Sequence, residues 1–252
     1  MIFTNYIEKL QAVLERIKAE QQQNIEAAGR IVAESLACGG IVHTFGTGHS
    51  HIIAEEIFFR AGGIAPINPI LDERLVFLKG ALESTRAERE PGLSRRLIEQ
   101  EDVRSGDAAI VISNSGRNAA PVEMALEMNE RGVRVIAITN LEQSRSAESR
   151  HVSGKKLYEL ADVAIDNCVP AGDAVMALEG LESRTGASST VAGAAIAHSI
   201  VIEAMNDLLE RGEPLPVLPS ANVAGTTADT LREVLRPYRD RIRYLDLETE
   251  ID

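Results

Sequence analysis

The stretch AAIVISNSGRNAAPVEMALEMNERGVRVIAIT, residues 108–139, decides the fold. It contains two short apolar runs rich in β-branched residues, 108–113 and 133–139, separated by a segment long enough for a helix. Asn118 suits the N-cap of that helix and Gly132 suits its end. Two buried strands joined by a helix are typical of a βαβ unit, whose strands are parallel.

The same alternation continues on both sides of this unit. Apolar runs at 41–45 and 161–166 predict further strands, and residues 64–70 form another extended stretch. Apolar residues at helical spacing predict long helices over 4–37 and 189–211. We therefore expect an α/β fold, with one doubly wound parallel sheet of about five strands and additional N- and C-terminal helices.

No internal repeat or long linker divides the chain, so we expect a single domain over residues 1–252. Its parts are an N-terminal helical segment (1–38), an α/β core (39–211) and a C-terminal loop and helix (212–252). The last helix is predicted over 227–245 and follows a proline-rich loop.

The composition excludes several classes of protein. Asp and Glu outnumber Lys and Arg by 38 to 26, a formal charge of −12, which argues against nucleic acid or an anionic membrane as a partner. No apolar run reaches the roughly 18 residues of a membrane span. Cys38 and Cys168 have no metal or redox spacing, which favours reduced thiols in a cytoplasmic protein.

Three loops share a composition of Gly, Ser, Thr and Asn and precede predicted helices. They are residues 46–51, 113–118 and 186–190. Such loops direct backbone N–H groups and hydroxyls toward one point at the positive end of a helix. A loop of this kind can hold a phosphate without any net positive charge.

Two better-known motifs are incomplete in the first of these loops. His51 stands where a dinucleotide-binding fingerprint has its third glycine, and Ile52 replaces the last glycine of a nucleophile elbow. We therefore set aside a nicotinamide enzyme and a serine hydrolase.

The stretches FGTGHSHIIAEEIFFRAGG (45–63) and IVISNSGRNAAPVEMALEMNERGVRVIAIT (110–139) resemble the sugar isomerase (SIS) domain family. They are similar in particular to phosphoheptose isomerases and to N-acetylmuramic acid 6-phosphate etherases. The similarity covers roughly residues 20–210. It implies a phosphorylated sugar as ligand, and a homodimer or homotetramer whose sites lie at subunit interfaces.

The resemblance assigns the binding residues by position. Ser50, Ser113, Ser115 and Asn118 would surround the phosphate, beside Gly116, and Gly48 would also bind the substrate. The residues near the sugar would be Ser188, Ser189 and Thr190. Gly116 would allow close approach of the backbone. The family usually has Ser or Thr where Asn118 stands, and an amide can still donate a hydrogen bond.

The acid and base residues are assigned in the same way. His198 matches the base-bearing position of the isomerases, while the position of the family's catalytic Glu holds Arg60. Glu55 or Glu56, one turn earlier, could substitute, but adjacent helical residues point about 100° apart, so at most one faces the site. Glu88 matches the second etherase carboxylate in placement.

Some phosphoheptose isomerases hold zinc, and the matching positions here are Glu56, Arg60, Thr190 and His198. An arginine in that set opposes a cation, so we expect no metal and no other cofactor. We expect an enzyme that isomerises an aldose phosphate to a ketose phosphate. The alternatives are an etherase acting on an amino-sugar phosphate, and a non-catalytic phosphosugar sensor that acts through a protein partner.

Overall fold

The computed structural model describes residues 1–220, 222, 227–245 and 247–248. Its central element is a sheet of five parallel strands in the order β2-β1-β3-β4-β5. The strands are β1 Val42–Gly46, β2 Ile67–Ile70, β3 Ala108–Ile112, β4 Arg134–Thr139 and β5 Val163–Asp166. A separate antiparallel hairpin consists of β6 Ala174–Met176 and β7 Thr185–Ala187. The predicted parallel sheet of five strands is confirmed.

Ten α-helices lie in the described part of the chain. They are α1 Ile2–Glu20, α2 Gln22–Ala37, α3 Ser50–Glu56, α4 Ala81–Ala87, α5 Leu93–Ile98, α6 Ala119–Glu130, α7 Leu141–Ser146, α8 Leu157–Leu160, α9 Ser189–Glu210 and α10 Ala228–Leu235. Short 3-10 turns cover Phe77–Lys79 and Arg236–Tyr238.

Alternate residues of β3 face two separate cores. Ile110 packs with Ile53 of α3 in a core that also contains α1, α2 and α9. Val111 packs with Met124 of α6 in the opposite core. The chain thus leaves β1 toward one face of the sheet and leaves β3 toward the other. In doubly wound folds, the crevice between two such strands is where ligands bind.

The predicted N-terminal helix is in fact two helices, broken at Gln21. The Oε1 atom of Gln21 accepts a hydrogen bond from the backbone N–H of Asp166, at 3.1 Å. Both α1 and α2 pack on the same core. No glycine or proline marks the break, and only the polar interval QQQN (21–24) interrupts the apolar pattern there.

The helix α9 is, among the described residues, the one long and apolar enough to cross a membrane by length and hydropathy. Its inner face is nonetheless part of the protein core, where it packs against α2. Gly29 of α2 permits this contact, because a Cβ there would lie 2.5 Å from the Cβ of Glu203.

The predicted C-terminal helix over 227–245 is too long. The helix α10 ends at Leu235, because Pro237 follows in a 3-10 turn and cannot continue the helical hydrogen bonds. Leu231 and Leu235 pack on Ala65 and Leu218. Part of the predicted proline-rich loop, residues 221 and 223–226, lies outside the described residues.

Candidate functional site

The first and second polar loops lie side by side, because they follow the adjacent strands β1 and β3. Below them the structure contains a small cleft at the carboxyl end of the sheet. Its lining includes His49, Ser50, Asn114, Asn167, Ser189 and Thr190, with Ile53, Ile112, Ile138 and Gly193 at its base. Ser50 and two residues of the third loop, Ser189 and Thr190, therefore line the same cleft.

The turn between β1 and α3 is very tight. A Cβ at Gly46 would lie 2.3 Å from the carbonyl oxygen of Ser50, so only glycine fits there. The Nδ1 atom of His51 forms a hydrogen bond with the carbonyl oxygen of Gly48. The ring of Phe77 lies 4.8 Å from that of His49. His49 therefore lines the cleft, whereas His51 stabilises the turn through its hydrogen bond to Gly48.

The loop between β3 and α6 forms a concave run of backbone amides. Gly116 has a φ of +57°, and its amide donates to the Ser113 hydroxyl at 3.2 Å. In the described part of the chain, the backbone N–H groups of Ser115, Arg117 and Asn118 donate no hydrogen bond. These amides stand at the N-terminus of the 12-residue helix α6. Such a nest at a helix N-terminus attracts an anion.

Several hydrogen-bond donors of the third loop are already bonded to another part of the protein. The carboxylate of Asp173 accepts hydrogen bonds from the backbone N–H groups of Ser188 (2.9 Å) and Ser189 (2.6 Å), and from both hydroxyls. Asp173 therefore caps α9, and these donors are not free for a ligand. Thr190 remains at the cleft.

The structure adds polar residues that sequence reasoning did not assign to the site. The side chain of Asn167 donates to Asn114 Oδ1 at 2.8 Å, and both line the cleft. Asn167 directly follows β5, and Asn114 lies two residues after the end of β3. A polar residue just after a strand is the same sequence pattern that pointed to Ser113. At the crevice between β1 and β3, the Thr47 hydroxyl donates to Glu88 at 2.7 Å, so Glu88 is half-buried beside the loops.

The structure distinguishes the two candidate glutamates on α3. Glu56 Oε1 lies 3.3 Å from Nε2 of His198, and 3.5 Å from the guanidinium of Arg60. Glu55 points elsewhere, with its carboxylate 3.9 Å from Nε2 of His51. The imidazole and the Glu56 carboxylate are both partly exposed. Both groups are therefore accessible to solvent, although neither lines the small cleft.

Among the described residues, no group of three or more His, Cys, Asp and Glu side chains is placed to hold a metal ion. The positively charged guanidinium of Arg60 lies beside the Glu56 carboxylate and would repel a metal cation there.

Comparisons with known proteins agree with this architecture. A profile of the SIS domain family matches residues 5–140. A UPF0309 protein of Geobacillus kaustophilus is 40% identical over 244 residues, covering 97% of each chain. A UPF0309 protein of Listeria innocua is 41% identical over 247 residues, covering 98% of this chain and 99% of the relative.

Solved structures share the fold at low sequence identity. The phosphoheptose isomerase from Neisseria gonorrhoeae superposes with a TM-score of 0.54 at 14% identity, covering 81% of this chain and 97% of that one. The Vibrio vulnificus NanR protein in complex with ManNAc-6P superposes with a TM-score of 0.51 at 14% identity, covering 96% of this chain and 70% of that one. The resemblance that the sequence indicates is confirmed, and the chain belongs to the SIS domain family and, within it, to the UPF0309 proteins.

Proposed function

We propose that this protein binds a phosphorylated sugar at the carboxyl end of its sheet. The phosphate would lie over the loop 113–118 and the sugar hydroxyls at the mouth of the adjoining cleft, which is itself too small to enclose a sugar. The observation that carries this proposal is the set of unpartnered amides of Ser115, Arg117 and Asn118 at the start of α6. The polar lining of the cleft supplies donors and acceptors for hydroxyl groups.

The reaction that we propose is aldose–ketose isomerisation. A base removes the proton from the carbon next to the carbonyl, and the resulting enediol receives a proton on the neighbouring carbon. A second proton moves between the two oxygens, so the overall reaction is neutral in protons and electrons. His198 is the base in this proposal and Glu56 is the second proton-moving group, because the two side chains are in contact and both are partly exposed.

The helix α3 sets the distance between the two ends of the site. Ser50 and Glu56 are the first and last residues of α3, and six residues of helix correspond to about 9 Å. An extended sugar phosphate can span such a distance from its phosphate to its carbonyl end. Because Gly193 has no side chain, α9 can pack closely on Ile53 of α3, which holds the two helices of the proposed site together.

We propose further that a second copy of the chain completes the site. On α9, Val191, Ile202 and Leu209 are exposed apolar residues that share one face with His198. A subunit contact over this face would cover the apolar side chains and shield the proton-moving pair from water. The free thiols, Cys38 and Cys168, support a reducing, cytoplasmic location.

A phosphosugar sensor is the second candidate. The position at which the resemblance implies a catalytic Glu holds Arg60, and the NanR protein of similar fold was solved with ManNAc-6P. A sensor would use the same phosphate loop and would need no proton transfer.

The test is incubation of the protein with a panel of sugar phosphates in deuterated water. An isomerase exchanges the hydrogen at C1 or C2, and the exchange is read by NMR. Thermal stabilisation without exchange supports the sensor, and release of an ether substituent from an amino-sugar phosphate supports the etherase. If no member of the panel stabilises the protein or reacts, the proposed ligand class is wrong.

A further inference from the structure

Three arginines converge on the first turn of α6 from three separate segments. Arg117 belongs to the loop that precedes this helix. Arg150 comes from the loop before α8, and its backbone N–H donates to the carbonyl oxygen of Arg117 at 2.8 Å. Its guanidinium donates to the Asn118 side chain at 2.9 Å. Arg89 follows Glu88, whose carbonyl oxygen accepts the N–H of Ala120 in the first turn.

Three arginines, Arg89, Arg117 and Arg150, form this arginine cluster, and Glu88 is the acidic group whose charge acts on it. Within the described residues, none of the three forms an ion pair with a carboxylate. The Nε atom of Arg117 is buried without a hydrogen-bond partner. Such an arrangement is unusual in a chain with a formal charge of −12, in which acidic partners are abundant.

The three charges also act on one another. Partial desolvation of its guanidinium lowers the pKa of Arg150, and the charges of Arg117 and Arg89 lower it further, while Glu88 opposes the change. Glu88 in turn accepts the hydroxyl of Thr47, which uses part of its hydrogen-bonding capacity. Like charges held together cost free energy unless an anion binds between them.

We propose that the arginine cluster binds the phosphate group of the ligand directly, together with the amide nest of the loop 113–118. This inference rests on the proposed function and specifies its ligand class as a phosphomonoester dianion. Guanidinium groups present paired N–H donors that match phosphate oxygens, and they carry charge that hydroxyls and amides lack.

The cluster also sets the orientation of the ligand. The cleft lined by Ser50, Asn167 and Thr190 opens on the side of α3 and α9. The arginines lie around the first turn of α6 and the segment that follows α4. The phosphate end therefore points toward α6, and the carbonyl end toward His198 on α9. A sugar without a phosphate group would gain no binding free energy from the arginine cluster.

Inorganic phosphate is the probe for this inference, measured by the rise in melting temperature and by calorimetric titration at constant ionic strength. The variants are Arg150→Gln and Arg117→Gln. Arg150 is exposed, so its replacement leaves the core intact and keeps the test valid should the Arg117 variant fold poorly. We expect each to weaken phosphate binding by about tenfold, the loss typical of one hydrogen bond between charged groups. Arg117→Lys should recover only part of the affinity, because an ammonium lacks the planar fork.

The matched control is Arg30→Gln, which removes the same charge from an exposed position on α2, away from α6. Phosphate affinity equal in Arg150→Gln, Arg117→Gln and Arg30→Gln would overturn the inference. Ser115→Ala separates this result from failure of the proposed function. If Ser115→Ala weakens binding and the arginine variants do not, the loop binds phosphate alone. If phosphate does not stabilise even the unaltered protein, the proposed function itself fails.

Discussion

The Nε2 atom of His198 lies 3.3 Å from Oε1 of Glu56, although 142 residues separate the two in the chain. The contact joins the end of α3 to the second quarter of α9, and it selects Glu56 over Glu55 as the carboxylate that can act with the histidine.

Replacement of either partner should therefore stop proton transfer without loss of binding. We expect His198→Gln and Glu56→Gln each to lower the rate of C1/C2 hydrogen exchange by about 100-fold or more, the usual contribution of a positioned acid or base. Glu55→Gln, which changes a carboxylate that faces His51, should leave exchange nearly unchanged. Stabilisation by the sugar phosphate should persist in all three. Undiminished exchange in the His198 variant would remove that residue from the mechanism.

The second prediction concerns Gly116, whose φ is +57° and whose absent Cβ would lie 2.9 Å from Thr139 Oγ1. Gly116→Ala should lower the free energy of unfolding by roughly 2–3 kcal/mol, because it adds a close contact to the cost of a left-handed alanine. Gly154→Ala is the control, since Gly154 has a φ of +69° with no atom within 4 Å of its Cβ position.

Denaturant unfolding of both glycine variants gives the comparison. The control should show only the backbone penalty of about 1 kcal/mol. Gly116→Ala should in addition lose stabilisation by inorganic phosphate. Equal losses of stability and of phosphate binding in Gly116→Ala and Gly154→Ala would show that the loop 113–118 does not need the close backbone approach at Gly116.

The sequence predicts the sheet well because buried parallel strands read as continuous apolar runs, as in β3 and β4. The Gly, Ser and Asn loops after these strands also stand out locally. Contacts between distant segments leave no such local pattern. The capping of α9 by Asp173 depends on an unusual φ of +71° at that residue, and the approach of Arg150 to Asn118 depends on the path of a long loop. Both require the tertiary structure.

The two cysteines should differ sharply in reactivity. Cys38 is exposed and Cys168 is buried. Burial, followed by the charge of Asp166, raises the pKa of the Cys168 thiol to about 11. At pH 8 only about one Cys168 in a thousand is then a thiolate, the reactive form. An aromatic disulfide reagent should modify one thiol per native chain at this pH and both in denaturant. Rapid reaction of both thiols in the native protein would contradict the burial of Cys168.

The last prediction concerns the stability of the C-terminal segment in acid. Arg241 donates to the buried carboxylate of Asp107 at 2.7 Å, and His43 lies 3.1 Å from the same carboxylate. Burial alone would raise the pKa of Asp107, but hydrogen bonds from His43, Arg241 and the amides of Ile41 and Arg104 outweigh it. The pKa therefore lies well below its ordinary value.

A carboxyl with a lowered native pKa stabilises the fold fully above its unfolded pKa, about 3.9. As the pH falls below that value, the unfolded chain takes up a proton that the native Asp107 does not, so the free energy of unfolding decreases. Arg241→Gln should lower the free energy of unfolding at pH 7 by about 3 kcal/mol, because it leaves a buried charge with fewer partners. It should also flatten the decline between about pH 4 and pH 2, since the native pKa of Asp107 moves back toward its unfolded value.

Arg239→Gln is the matched control for Arg241→Gln. Arg239 lies in the same segment but is half exposed and 3.3 Å from the exposed Asp240, so its loss should cost less than about 1 kcal/mol. Urea unfolding of both variants from pH 7 to pH 2 makes the comparison. Should the two variants show the same stability and the same acid dependence, the Arg241 contact with Asp107 would contribute no more than a surface ion pair. The apolar packing of α10 would then contribute more to holding the C-terminal segment than this contact.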